Sequence, residues 1–205
     1  TLAKLIAGLF DPTSGAVLVS GTDVRQLDPQ QLRRAIGCVP QDPFLFNGTL
    51  RENIAYGAQA VDDETLLKAA REAGVDEFAR LHPQGYDLPV GERGSRLSGG
   101  QRQAVVLARA LVSPHSLLLL DEPSSSLDHV AEQFLRERLK QRIPGETLML
   151  VTHRLGMLDL VDRVIVMHGG QIVMDGPRDA VMQQLKGGQA APTPTPMPTR
   201  QTAQG

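Results

Sequence analysis

Apolar residues along the chain follow two kinds of pattern. Continuous apolar runs bounded by polar residues occur at Leu117–Leu120 and Leu148–Thr152, and such runs suit strands that are covered by helices on both faces. Apolar residues at helical spacing occur at Leu66–Ala73 and at Val130–Arg142, the second with Phe134, Leu135 and Leu139 on one side. Together these patterns predict an α/β fold with a parallel sheet.

Shorter segments predict antiparallel pairs. The segment GAVLVSGTDV, which starts at Gly15, alternates apolar and polar positions between glycines, as short antiparallel strands do. Arg163–His168 and Gln171–Met174 are joined by Gly169-Gly170 and indicate a hairpin. Asp28-Pro29 predicts a helix start, since the aspartate can cap free N–H groups and proline at the first position loses no hydrogen bond.

Composition bounds the class of protein. With 205 residues, 41% hydrophobic content and a formal net charge of −2, the chain can form one compact domain, and the charge does not suggest nucleic acid as a partner. The longest apolar stretches are far shorter than the roughly 20 residues that span a bilayer, so we expect any membrane part to lie elsewhere. Cys38, the single cysteine, stands in an apolar run, which favours a buried structural thiol.

Residues 1–186 carry these patterns, and residues 187–205 do not. The last segment, GGQAAPTPTPMPTRQTAQG, has no periodic apolar face and is rich in proline and threonine. Such a segment cannot bury enough surface to offset the entropy lost on ordering. We therefore expect a domain over 1–186 followed by a disordered or extended tail.

Two segments carry candidate chemistry for a nucleoside triphosphate. Ser98-Gly99-Gly100-Gln101 opens a predicted helix; the glycines let the backbone approach a phosphate, Ser98 adds a hydroxyl donor, and the positive end of the helix favours an anion. Asp121 and Glu122 come directly after the apolar run LLLL. Two adjacent carboxylates at the end of a strand can serve a bound magnesium ion and an attacking water separately.

The segment RLSGGQRQAVVLARALVSPHSLLLLDEPSSSLD, residues 96 to 128, resembles the signature loop, Walker B strand and D-loop of ATP-binding-cassette (ABC) ATPases. The resemblance runs from Thr1 to about Lys186. It implies a P-loop NTPase (RecA-like) core with a parallel sheet, a helical signature subdomain over about 48–113, and a partial antiparallel β subdomain. It also implies ATP and Mg2+ as cofactors.

The resemblance assigns a role to each matching residue. Asp121 would help position the cation, and Glu122 would polarise or deprotonate the attacking water. His153 follows the predicted strand TLMLVT and resembles the switch histidine, which donates a hydrogen bond to the γ-phosphate. Ser126-Leu127-Asp128 resembles the D-loop, with serine where alanine is usual. This resemblance implies that Asp128 contacts the nucleotide. In the family, the signature loop closes over the γ-phosphate held by the opposite subunit, which implies a head-to-tail dimer of nucleotide-binding domains.

A further match concerns the contact with a membrane domain. Cys38-Val39-Pro40-Gln41-Asp42 resembles the Q-loop, in which Gln41 would contact magnesium and the attacking water. The continuation PFLFNGTLRENI matches ABC exporters, and Val90–Gly94 resembles their X-loop, which receives the coupling helices. The candidates for coupling to the membrane domain are Phe44, Phe46, Arg51 and Glu92.

One motif of the family does not occur in the sequence. An ABC ATPase needs a phosphate loop of the form G-x-x-x-x-G-K-[ST], and the chain opens instead with TLAKLIAGL, which resembles the helix after that loop. We expect the first strand and the phosphate loop to lie upstream, with Thr1 as a remnant of the loop, and the chain alone to be inactive. The alternative of another class is a short, catalytically incomplete module for interaction or regulation.

The wording after the switch histidine, VTHRLGMLDLVDRVIVMHGGQIVMDGPRDAVMQQL, resembles type I protein-secretion ATPases of Gram-negative bacteria most closely. This branch implies export of a protein or peptide from the cytoplasmic face of the inner membrane. Its partners would be a transmembrane domain, a second nucleotide-binding domain, a periplasmic adaptor and an outer-membrane channel. Multidrug, lipid and bacteriocin exporters remain alternatives.

Overall fold

The computed structural model describes residues 2–58, 60–142 and 145–186. The chain divides into two compact units, the first ending at His153 and the second beginning at Arg154. Thr1 and the tail 187–205 lie outside the described residues, so the predictions made for them stay predictions. Within the described residues, none of the helices combines the length and the apolar character that crossing a membrane requires.

A parallel sheet of three strands forms the centre of the first unit. Its strands are β3 (Ile36–Val39), β4 (Leu117–Asp121) and β5 (Thr147–Val151), in the order β3-β4-β5. β4 is the middle strand, and Leu118, Leu119 and Leu120 on it are fully buried. This confirms the parallel sheet predicted from the apolar runs, with the β5 boundaries shifted by one residue. Because all three strands run in the same direction, their carboxyl ends share one edge of the sheet.

Small elements precede the sheet. They are α1 (Leu2–Ile6), the antiparallel pair β1 (Leu18–Val19) and β2 (Thr22–Asp23), and α2 (Pro29–Ala35). Asp28 caps α2, since its Oδ1 accepts from the backbone N–H groups of Gln30 at 2.6 Å and Gln31 at 3.2 Å. Both the short antiparallel strands and the Asp28-Pro29 helix start are therefore confirmed.

Four helices lie between β3 and β4. They are α3 (Leu50–Ala55), α4 (Asp63–Ala73), α5 (Val75–Ala79) and α6 (Gly99–Leu111). Thr49 and Glu52 form a capping box at the start of α3, and Gly74 ends α4 with a left-handed φ of 85°. These helices occupy the range in which the helical subdomain is predicted. Their contacts with one another centre on α6, which packs against α3, α4 and α5.

Helix α7 (His129–Arg142) follows β4 and corrects one predicted detail. Leu135 and Leu139 are buried as expected, but the side chain of Phe134 is 57% exposed. Its ring lies 6.0 Å from the guanidinium carbon of Arg138 and lines a cavity next to α6 instead of joining the core. Helical spacing alone could not distinguish these two surroundings for an apolar residue.

The second unit contains an antiparallel hairpin and a helix. Strands β6 (Arg163–His168) and β7 (Gln171–Pro177) pair antiparallel with a register shift between Val166 and Met167, and α8 (Arg178–Lys186) follows. Gly169 and Gly170 both have positive φ, 56° and 80°, as a tight two-residue hairpin turn requires. The predicted hairpin is confirmed, although β7 extends three residues beyond Met174. Val164, Met174 and Val181 form the small core of this unit.

Candidate functional site

The carboxyl edge of the parallel sheet brings the two predicted catalytic residues into contact. Glu122 directly follows β4, and His153 follows β5 by two residues. Nδ1 of His153 lies 2.8 Å from Oε1 of Glu122. An ionised carboxylate can only accept, so in that state Nδ1 carries the hydrogen. Donation from Nε2 to a further acceptor, such as a phosphate oxygen, then requires the doubly protonated ring.

The backbone at Glu122 is strained. Its φ is 50°, in the left-handed region that residues with a side chain rarely occupy. The backbone N–H of Glu122 donates to the Val151 carbonyl at 2.8 Å, so the neighbouring strand holds the residue in this conformation. Such a conformation costs on the order of 1–3 kcal/mol and is typical of functional sites.

One carboxylate oxygen of Glu122 is unsatisfied. Oε2 is buried and has no hydrogen-bond partner within the described part of the chain, while Oε1 faces His153. A buried acceptor without a partner is rare in native proteins and calls for a bound water or ligand. The geometry of Glu122 thus suits a group that accepts a proton from a molecule entering this edge.

Asp121 and Gln41 stand at the same edge. Asp121 ends β4 and pairs in register with Val151 of β5. Gln41 follows the end of β3 by two residues and is exposed. Burial, and after it the charge of Asp121, raises the pKa of the Cys38 thiol. Cys38 is half-buried, less than predicted, and its raised pKa agrees with a structural thiol.

The oxygen ligands at this edge fit magnesium bound together with a nucleotide. No group of three or more His, Cys, Asp or Glu side chains in residues 2–58, 60–142 and 145–186 could hold a metal by itself. Mg2+ is usually held by one or two carboxylates together with substrate phosphates. Asp121 and Gln41 match this partial set, and their predicted contact with Mg2+ stays a prediction.

The signature segment opens α6 as predicted, and its polar side chains cap that helix. Ser98 Oγ accepts from the Gln101 backbone N–H at 3.2 Å, and Gln101 Oε1 accepts from the Ser98 N–H at 2.9 Å. This reciprocal pair is a capping box, which the spacing S-x-x-Q indicates. The helix start was predicted from the glycines, and the capping box was not predicted. Because the Ser98 hydroxyl acts here as acceptor, its hydrogen is still available to an anion.

The predicted D-loop residues, Ser126 to Asp128, lie directly before α7. Asp128 is exposed, and its Oδ1 accepts from the backbone N–H of Ala131 at 2.8 Å. The carboxylate thus caps the start of α7. Its predicted contact with nucleotide stays a prediction. Ser126 and Leu127 lie against the glycines of the signature segment, so the signature loop and the D-loop of the same chain are neighbours.

Two of the four predicted coupling residues, Phe44 and Phe46, belong to an exposed aromatic cluster. Phe44 and Phe46 meet edge to face with ring centroids 5.2 Å apart, and Phe46 stacks on Tyr56 at 4.0 Å. Arg51 pairs with Asp63, and Glu92 begins a short 3₁₀ turn. Tyr56 was not predicted to belong to this surface.

Arg109 of α6 contacts the aromatic cluster and was not predicted to do so. Its guanidinium donates to the carbonyls of Phe44 at 3.0 Å and Asn53 at 2.8 Å and to Asn53 Oδ1 at 3.0 Å. Its guanidinium carbon lies 5.5 Å from the Phe46 ring centroid. Burial lowers the pKa of Arg109. The helix that begins with the signature segment is therefore bonded to the exposed aromatic surface.

A protein-family model, described as ABC transporter, matches residues 1–125. Among curated relatives, the heterocyst differentiation ATP-binding protein HepA of a Nostoc species is 41% identical over 90% of this chain and 30% of that protein. The ATP-dependent lipid A-core flippase of Syntrophus aciditrophicus is 41% identical over 89% of the chain and 30% of that protein. The multidrug efflux ATP-binding/permease protein of Mycobacterium bovis is 45% identical over 90% of this chain and 15% of that protein.

A solved structure is also similar to the chain. The structure of a bacterial Atm1-family ABC exporter with ATP bound superposes with a TM-score of 0.85 at 36% identity and covers 89% of this chain and 32% of that one. The chain thus spans less than a third of the length of each of these relatives.

Proposed function

Because the chain belongs to the ABC transporter family, we propose that it is the ATP-hydrolysing part of a membrane exporter. The observation that carries this proposal is the contact between Glu122 and His153 at the carboxyl edge of the sheet, 2.8 Å long and with Glu122 Oε2 buried and unsatisfied. Similar proteins named as a flippase, an efflux protein and an exporter support it.

In the proposed reaction, Glu122 takes a proton from the water that attacks the γ-phosphate of ATP. An ionised carboxylate can take this proton, and the backbone hydrogen bond from Glu122 to the Val151 carbonyl keeps the residue in place without reorganisation. His153, exposed beside Glu122, would donate to a γ-phosphate oxygen. Asp121 and Gln41 would hold Mg2+, which when bound neutralises charge on the phosphates.

Hydrolysis would take place in a head-to-tail dimer. Ser98, Gly99, Gly100 and Gln101 would close over the γ-phosphate held by the partner subunit, where the Ser98 hydroxyl and the start of α6 favour negative charge. A transmembrane domain would be the partner of this dimer, as the name of the similar ATP-binding/permease protein suggests.

Two classes of cargo are open to test. Relatives named for lipid A-core flipping and multidrug efflux favour a lipid or an apolar small molecule. The wording after His153 favours a protein or peptide secreted through a periplasmic adaptor and an outer-membrane channel. Reconstituted vesicles decide between them: stimulation of hydrolysis by lipid and drug-like compounds supports the first class, and stimulation by an unfolded secreted polypeptide supports the second.

The test of the ATPase role uses the full-length protein that contains this chain. We expect Glu122→Gln to lower the rate of ATP hydrolysis by about 100-fold or more while ATP still binds, because the amide keeps the shape and cannot take a proton. Glu137→Gln, at an exposed position of α7, is the matched control and keeps the parental rate. A Glu122→Gln protein with most of its hydrolysis would rule out Glu122 as the base.

A further inference from the structure

The two glycines that open α6 face the D-loop of their own chain. A Cβ added to Gly99 would lie 3.2 Å from Ser126 Cβ, and one added to Gly100 would lie 2.9 Å from Leu127 Cδ2. Neither glycine has a positive φ, so their backbone conformation does not require glycine. In a helix, glycine is less stable than alanine by about 1 kcal/mol. The glycines at these positions therefore provide space for the D-loop.

The two contacts differ in stiffness. Ser126 Cβ is fixed to the backbone, so relief of a clash at Gly99 requires the D-loop itself to move. Leu127 Cδ2 is the end of a side chain, and both Leu127 and Gly100 line a cavity of about 460 Å³ into which the leucine can turn. The contact of Gly99 with Ser126 is consequently the stricter of the two.

The D-loop is connected to Glu122 by backbone hydrogen bonds, so a displacement of the loop would also displace Glu122. The backbone N–H of Ser125 donates to the Glu122 carbonyl at 3.1 Å, and the N–H of Leu127 donates to the Ser124 carbonyl at 3.0 Å. Ser124 between them is fully buried. The loop from Glu122 to Leu127 is thus a tight pair of turns with little freedom to absorb a displacement at Ser126.

We propose that Gly99 and Gly100 are positioning residues that fix the signature loop against the D-loop of the same chain, and through it fix Glu122. The proposal rests on the proposed function and deepens it. In a head-to-tail dimer the signature loop serves the partner's nucleotide, whereas Glu122 serves the chain's own.

The test is a set of compensating substitutions in the full-length protein. Gly99→Ala should lower kcat for ATP hydrolysis about tenfold and change KM much less, because Glu122 is displaced by a fraction of an ångström. Gly99→Ala with Ser126→Gly should recover the part of kcat that is lost through the D-loop, at least threefold over Gly99→Ala alone, since the second change removes the atom that the new methyl meets. Gly100→Ala should cost about threefold, because Leu127 can turn, and Leu127→Ala should relieve it.

Mismatched pairs control for nonspecific rescue. Gly99→Ala with Leu127→Ala should hydrolyse ATP as slowly as Gly99→Ala alone. Gly100→Ala with Ser126→Gly should likewise be as slow as Gly100→Ala alone. Gly176→Ala is the control for glycine substitution as such, because its Cβ would lie 3.7 Å from Val181, an ordinary contact. A Gly99→Ala defect that Ser126→Gly does not relieve, or that both partners relieve equally, overturns the proposal.

A second readout separates this proposal from the ATPase role. The melting temperatures of the same variants of the 205-residue chain report the contact without nucleotide: Gly99→Ala lowers the melting temperature, and Ser126→Gly lowers it less in that background than in the parent. Purely additive shifts in melting temperature overturn the contact even if hydrolysis is normal. If the shifts are coupled and Glu122→Gln still hydrolyses ATP, the contact stands and the ATPase role fails.

Discussion

The edge of the sheet and the start of α6 both carry predicted nucleotide chemistry, yet they are built in opposite ways. At the edge, Glu122 is strained, one of its oxygens is buried without a partner, and His153 is exposed. At the start of α6, Ser98 and Gln101 satisfy each other in a capping box, and the glycines are covered by the D-loop. The first region has an unsatisfied oxygen where the proposed hydrolysis would take place. In the second region the polar side chains satisfy each other and the glycines are closely packed, where the proposed contact with the partner's nucleotide would form.

The largest expected effect comes from replacing Glu122 at the carboxyl edge of the sheet. Glu122→Gly should lower hydrolysis by the full protein about 100-fold or more and at the same time raise the free energy of unfolding of the chain by about 1 kcal/mol. Glycine adopts the left-handed backbone without strain, and the buried unsatisfied oxygen disappears. Glu122→Ala is the control, since it removes the carboxylate but keeps a Cβ. Equal stability of the glycine and alanine variants would show that the strain is not real.

The second prediction concerns the other end of α6, where Arg109 lies in the last turn. Arg109→Ala should lower the free energy of unfolding by about 3 kcal/mol, because the carbonyls of Phe44 and Asn53 lose a charged donor in a half-buried site. Chemical denaturation of the chain measures this change. The control Arg178→Ala removes an exposed ion pair with Asp179 and should change stability by well under 1 kcal/mol. A small effect at Arg109 would mean that the aromatic cluster does not depend on it.

A third change tests the cap of α6. Ser98→Ala should cost about 1 kcal/mol of stability, because the backbone N–H of Gln101 loses its acceptor. Ser98→Gly should cost only a few tenths of that amount, and Ser98→Thr should restore the cap. Urea denaturation of these variants gives the order Thr, Gly, Ala from most to least stable. If alanine were as stable as threonine, the capping box would contribute nothing.

The smallest expected effect is at Cys38. Because burial raises the pKa of this thiol, the folded chain holds less thiolate than an unfolded one at the same pH, and alkylation by iodoacetamide at pH 8 should be slower than in urea. The raised pKa also makes stability depend on pH. Above the ordinary pKa of cysteine the unfolded chain loses the thiol proton more readily than the folded chain, so the free energy of unfolding falls as the pH rises. Alkylation at equal rates with and without urea would contradict this.

The sequence predicted the elements more fully than the geometry of single residues. The runs at Leu117–Leu120 and Leu148–Thr152 give strands because continuous apolar burial on both faces has few other outcomes. The left-handed backbone of Glu122 could not be predicted, since it depends on a hydrogen bond to Val151, which lies on the adjacent strand of the sheet but is distant in sequence. Arg109 was missed because an arginine in a helix is expected to be exposed, and its partners lie more than 50 residues away. The capping box was readable from Ser98-x-x-Gln101.

The central claim, a catalytic site shared between two subunits, is tested most directly by complementation. Two copies of the full protein with different affinity tags are co-expressed and purified through both tags. Pairing a Ser98→Arg copy with a Glu122→Gln copy leaves one site with an intact signature loop and an intact base, whereas pairing the parent with the Ser98→Arg/Glu122→Gln double variant leaves none. The account predicts faster ATP hydrolysis by the first pair than by the second. Equal rates, or faster hydrolysis by the second pair, would contradict it.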